Sequence, residues 1–230
     1  MREVTRGCCA RGVGTGGLPR PESASLWHEP WIIQSICRFS AHSGQSAWSS
    51  PRPTGTRTDR GIAITRRFPL PPAELWQWPT EPDRTAQWFG RWSGDPSTGE
   101  VAVQLSAEDG APMSTSAIHE CTPPQRLVLG TGPRWVIALD ITADDADSEG
   151  SADDSSGRMR ISGATLTLSQ DMDEAGFAAE VGPGWEYYLD RLVAATEDRD
   201  AEATAFEPDY LPGMAEHYRA LFTGKATAGR

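Results

Sequence analysis

Hydrophobic positions recur at helical spacing in one long stretch of the second half of the chain. Trp185, Tyr188, Leu189, Leu192, Val193 and Thr196 step by i, i+3, i+4, i+7, i+8 and i+11, which aligns them on one stripe of an α-helix. Gly182-Pro183-Gly184 precedes the stripe and reads as the break at which the helix starts, because Pro is tolerated in a first turn. Glu186, Asp190, Arg191 and Glu197 fall on the side predicted to be wet. Burying each large apolar side chain is worth about 1.5–3 kcal/mol, so the stripe calls for a sheet to cover it.

The residues before it predict that sheet. Ile62, Ile64 and Phe68 alternate with polar neighbours, as do Val101, Val103 and Leu105, and again Trp135, Ile137, Leu139 and Ile141. This period of two marks half-buried strands. Ser114 to Cys121, Arg126 to Leu129 and Met159 to Gln170 add further strands. Two short helices interrupt the series. One covers Ala73 to Trp78. The other opens at Thr80-Glu81-Pro82-Asp83, read as an N-cap with an acid three residues on, and carries Trp88 and Phe89 to a stop near Gly90. Residues 198–208 are a polar linker. Pro212 to Phe222 predicts a short amphipathic helix, with Met214, Tyr218, Leu221 and Phe222 on the face that docks back on the domain or meets a second copy. The order is strand, two short helices, about five strands and one long helix. That order predicts an α+β fold in which a curved antiparallel sheet wraps a long C-terminal helix.

Composition separates the two ends. Residues 1–60 are rich in Gly, Ser, Pro, Arg and Thr without sustained period, and predict a disordered N-terminal extension. The domain is therefore placed at 61–198, with 199–230 as linker and short helix. Eight Arg against four acids give residues 1–60 a charge of +4, so 61–230 carry −15 of the total −11. An acidic domain of this kind lacks the clustered Lys and Arg that nucleic acid and anionic membrane surfaces require. Of the four cysteines only Cys121 lies in the predicted domain. No disulfide framework or zinc site is expected, and a reducing, cytoplasmic setting is.

Three segments carry a resemblance. Leu75-Trp76-Gln77-Trp78-Pro79-Thr80-Glu81-Pro82-Asp83 running on to Gln87-Trp88-Phe89, then Glu120-Cys121-Thr122-Pro123-Pro124-Gln125-Arg126-Leu127, then Gly182 to Leu192, occur in the order seen in activator of heat-shock-protein ATPase homologue domains. These are members of the START/SRPBCC superfamily. The resemblance spans about residues 61–198. It implies the helix-grip fold, a cavity between sheet and long helix that holds an apolar molecule, and relatives that act as co-chaperones, lipid carriers or cyclases. Chaperone-stimulating members carry a further chaperone-binding domain, and residues 1–60 show no counterpart of it.

The chemistry-bearing residues are few. His28 and His42 lie in the extension and His217 in the tail, which leaves His119 as the histidine of the sheet, either facing solvent or orienting a ligand in the cavity. By strict alternation Glu120 shares the face of Ile118 and is the other candidate cavity acid. Cys121 reads as a small packed residue. The acids of Thr142 to Gly157 lack the spacing of a calcium loop, and no phosphate loop, metal motif or nucleophile elbow is present. No cofactor or metal is expected. The aromatic residues carry the binding prediction. Trp88, Phe89 and Trp92, beside Gly90 and Gly94, form the mouth of the cavity. Trp135, Tyr188 and Leu192 form its wall, with His119 as the polar group. The expected function is binding of a small hydrophobic or aromatic ligand, in a stress-related setting. The alternatives are a co-chaperone surface meeting a chaperone or a second copy, and a cyclase- or hydrolase-type enzyme using the same cavity.

Overall fold

In a computed structural model, the structure describes residues 51–107, 112–132, 134–144 and 163–223. Eight strands form one sheet: β1 (Thr56–Arg57), β2 (Gly61–Phe68), β3 (Gly90–Ser93), β4 (Glu100–Leu105), β5 (Ser114–Thr122), β6 (Arg126–Gly130), β7 (Val136–Ala143) and β8 (Ala164–Asp171). Their spatial order is β1-β2-β8-β7-β6-β5-β4-β3. Every neighbouring pair is antiparallel. Three short helical turns, α1 (Pro72–Leu75), α2 (Gln77–Thr80) and α3 (Pro82–Trp88), link β2 to β3. The long helix α4 spans Ala175–Thr196, and α5 (Ala215–Thr223) follows it. The expected helix-grip architecture is present: the curved sheet packs its apolar face on α4.

The register explains the core. Ile62 and Ile64 on β2 and Leu166 and Leu168 on β8 project to one side and are fully buried. Leu127 on β6 and Leu139 and Ile141 on β7 extend that layer. From α4 the predicted stripe answers it, with Trp185, Tyr188, Leu189 and Leu192 all buried.

Several boundaries differ from the sequence reading. Helix α4 begins at Ala175, not after Gly184, and Pro183 lies inside it. Proline lacks the N–H that would bond the Ala179 carbonyl, but the surrounding turns continue. Thr80 does not cap α3: the cap position is Glu81, without a side-chain cap bond, and the Thr80 hydroxyl instead donates to the Trp76 carbonyl at 2.7 Å. The strand β3, with Trp92 on it, was not expected; at four residues it is too short to show a period.

The domain is also larger than 61–198. Residues 51–60, placed in the predicted extension, include β1 and bond to α4; residues 1–50 lie outside the described residues. The acidic segment after Ala143 is described only to Asp144 and from Gly163, so the calcium-loop question falls outside them as well. At the other end Phe206, Tyr210, Met214 and Tyr218 are buried, so the tail docks back on its own domain.

That docking has a polar centre. Glu186, predicted to be wet, is completely buried. Its carboxylate accepts from the Thr54 and Gly55 N–H groups at 2.5 and 2.9 Å, from the Tyr218 hydroxyl at 2.6 Å and from Arg66 at 2.6 Å. Arg66 also pairs with Asp190 at 2.8 Å, and Asp190 accepts from the Tyr210 hydroxyl at 2.8 Å. Burial alone would raise the Glu186 carboxyl, but the Tyr218 and Arg66 bonds and the Thr54 N–H outweigh it and hold the group below its usual range. Burial, followed by the Glu186 charge, pushes the Tyr218 phenol upward, so it stays protonated and donates.

Candidate functional site

Between the sheet and α4 lies a cavity of about 60 Å³, partly open to solvent. One water needs about 10–15 Å³. The space therefore admits one small hydrocarbon and falls well below the roughly 300–1,000 Å³ of drug-sized sites.

Four elements build its walls. The concave sheet contributes Val101, Val103, Ile118, Leu127, Leu129, Ile137, Leu139 and Leu168, the inward members of five strands. Helix α3 and its C-terminal corner contribute Thr85, Trp88 and Phe89, with Pro79 and Thr80 before them. Trp92 and Pro96 stand at the β3 end, and Trp185 closes the α4 side.

The aromatic groups are held in place by one another and by hydrogen bonds. Phe89 lies 5.3 Å from Trp88 and 6.4 Å from Trp185, ring centre to ring centre, and meets Tyr188 edge-on at 5.1 Å. The Trp88 indole donates to the Trp78 carbonyl at 3.1 Å. The Trp185 indole donates to Gln170 at 2.6 Å, and the Gln170 amide in turn donates to the Arg134 carbonyl.

The polar content of the lining is small. Both threonine hydroxyls are spent on backbone: Thr85 on Trp78 and Thr80 on Trp76. None of the lining residues is titratable.

The structure divides the predicted site residues. Trp88, Phe89 and Trp92 line the cavity. Tyr188 and Leu192 are buried in the core and do not line it; Tyr188 backs Phe89. Trp135 is half-buried and packs edge-on against Phe177 at 5.4 Å, away from the cavity. His119 is exposed, its ring lying over Gly130, where an added Cβ would meet the imidazole at 2.8 Å.

Glu120 is exposed too, and pairs with Arg126 at 2.9 Å. A bulge between Ile118 and Glu120 is the cause: Ile118 pairs with Leu129 and Glu120 with Val128, leaving His119 as the extra residue. The alternation reverses there, so the face that Ile118 shares passes to Cys121, which packs against the core. No group of three or more His, Cys, Asp and Glu among the described residues is arranged to hold a metal ion. Trp185 and the sheet leucines were legible as core but not as lining, since periodicity shows which side is buried and not where packing stops short.

The sequence matches the family described as Activator of Hsp90 ATPase homolog 1-like protein over residues 69–197. The chain belongs to this family. The matched region contains every lining residue of the cavity, whereas residues 51–57 and the docked tail lie outside it.

No curated protein matches the chain. Among solved structures it is similar to CalU16 from Micromonospora echinospora, at 24% identity over 71% of this chain and 88% of that one, with a TM-score of 0.49. It is also similar to the protein encoded by gene BPP1335 of Bordetella parapertussis, at 16% identity over 80% and 95%, with a TM-score of 0.50. Neither likeness reaches beyond the fold. No helix among the described residues is long and apolar enough to cross a membrane.

Proposed function

We propose that this chain is a binding module that takes a small, uncharged hydrophobic or aromatic molecule between the sheet and α4, without covalent chemistry. The cavity carries the reading: four aromatic side chains and an aliphatic sheet wall make a lining of almost pure carbon around room for one small hydrocarbon. An apolar cavity gains more from a hydrocarbon than from water. A lining without a titratable group supports holding over turnover, because acid–base or nucleophilic steps need such a group within hydrogen-bond reach. The exposure of His119 and Glu120 favours this reading over the cyclase or hydrolase alternative, which drew on those two residues.

Tryptophan fluorescence tests the proposal, since Trp88, Trp92 and Trp185 face the space. Toluene is expected to change the emission saturably in the wild-type chain, and far less in a folded Leu129→Trp variant that fills the cavity. Wild-type emission that stays flat up to the solubility limit of toluene would reject it.

A further inference from the structure

The other deeply set arginine is Arg191. It leaves α4 beside the C-terminal end of α3 and is 4% exposed. Its Nε donates to the Trp88 carbonyl at 3.0 Å, one terminal nitrogen to the Tyr187 hydroxyl at 3.1 Å and the other to the Ser106 hydroxyl at 3.5 Å. All three acceptors are neutral. The Tyr187 ring lies near the guanidinium, 5.4 Å from its central carbon. Among the described residues no carboxylate forms an ion pair with Arg191. Arg66, by contrast, holds two, Glu186 and Asp190.

A guanidinium stays charged in a protein and carries five N–H donors, and a buried charge without a counter-charge is costly. The cap on the Trp88 carbonyl uses one donor. The two hydroxyl contacts use two more, the longer of them weak, and at least two remain. The Tyr187 hydroxyl accepts from Arg191, and its own proton is given to no other group among the described residues. Ser106, at the outer end, is exposed, so this edge of the cluster faces the surface. Spare donors around a fixed cation, close to solvent, match the forked recognition that arginine gives to oxyanions.

We propose that Arg191 and the Tyr187 hydroxyl form an oxyanion site entered beside Ser106. Neither residue lines the apolar cavity, and the proposal stands independently of what that cavity holds. The ligand is a single oxyanion, either a free inorganic ion or the acid group of a larger molecule.

Thermal unfolding of the full chain at constant ionic strength, titrated with phosphate, acetate or hexanoate, tests the site. The wild-type melting temperature is expected to rise saturably with at least one of them. Phosphate or acetate acting alone points to a free ion, and hexanoate acting more strongly than acetate points to the acid group of a larger molecule. Tyr187→Phe is expected to weaken the apparent affinity several-fold. Arg191→Met is expected to abolish the effect and, without anion, to melt no lower than the wild type. If Arg191→Met does not fold, the wild-type and Tyr187→Phe titrations decide. A wild-type melting temperature that none of the three anions raises beyond the ionic-strength control, or one that rises equally in Tyr187→Phe, overturns the site and leaves Arg191 as a cap on α3.

Discussion

Glu186 shows how one side chain joins parts of the chain that the family match does not include. It lies at the meeting point of the 51–57 segment, β2 and α5, and each sends it at least one donor. Removing one partner from such a cluster strands the others. Glu186→Gln is therefore expected to cost about 2–4 kcal/mol in chemical denaturation, and Tyr218→Phe about 1.5–3 kcal/mol. A loss below about 0.5 kcal/mol in both, the range of ordinary surface changes, would show that the cluster holds nothing together.

The pH dependence has a definite sign. Because the folded carboxyl is depressed, its stabilisation is fully present above the ordinary Glu value of about 4.3. It is lost as pH falls through the lower folded value. Stability measured against pH should fall across that acid window, and less steeply in Glu186→Gln; parallel curves would contradict the assignment. Neither Glu186 nor Arg191 was legible as buried, since helical periodicity marks the face toward the sheet and takes the opposite face as wet. Here the 51–57 segment and α5 cover Glu186, and the end of α3 and Ser106 cover Arg191. The outward placement of Glu120 was not legible for a different reason: the single bulge residue His119 reverses the alternation after it and leaves no mark in the hydrophobic pattern.

At the scale of elements, Gly182 serves the tail, and Gly182-Pro183-Gly184 lies within the helix instead of starting it. A Cβ on Gly182 would sit 2.2 Å from the Tyr218 ring, and one on Gly55 2.3 Å from the Tyr218 hydroxyl. The ring of α5 is thus clamped between two backbones that only glycine lets approach. Gly184, two residues on, has no neighbour within 4 Å of such a Cβ. The two helix glycines should therefore respond oppositely. Gly184→Ala is expected to stabilise by about 0.5–1 kcal/mol through helix propensity. Gly182→Ala should cost about 1–3 kcal/mol through overpacking and raise hydrogen exchange in α5. Equal effects in thermal melts of the two variants would refute the clamp. The strands and the core stripe were readable because each keeps a strict period. The earlier start of α4 was not, because Gly-Pro-Gly is a strong local break signal that packing on both faces of the helix overrides.

For the whole molecule, the order of elements and three short segments were enough to indicate the helix-grip fold, and the family match over 69–197 agrees. The cavity was implied by that resemblance, but its lining was only partly legible. The aromatic mouth at Trp88, Phe89 and Trp92 stood out in sequence. The aliphatic wall is set by which inward residues fail to touch α4, and that depends on sheet curvature. The proposed function requires that an apolar molecule sits in this gap. Indole N–H resonances of the full chain, followed during titration with toluene, test it most directly. Saturable shifts are expected for Trp88, Trp92 and Trp185, which line the cavity, with Trp135 unmoved. Shifts confined to Trp135, or none that saturate, would contradict it.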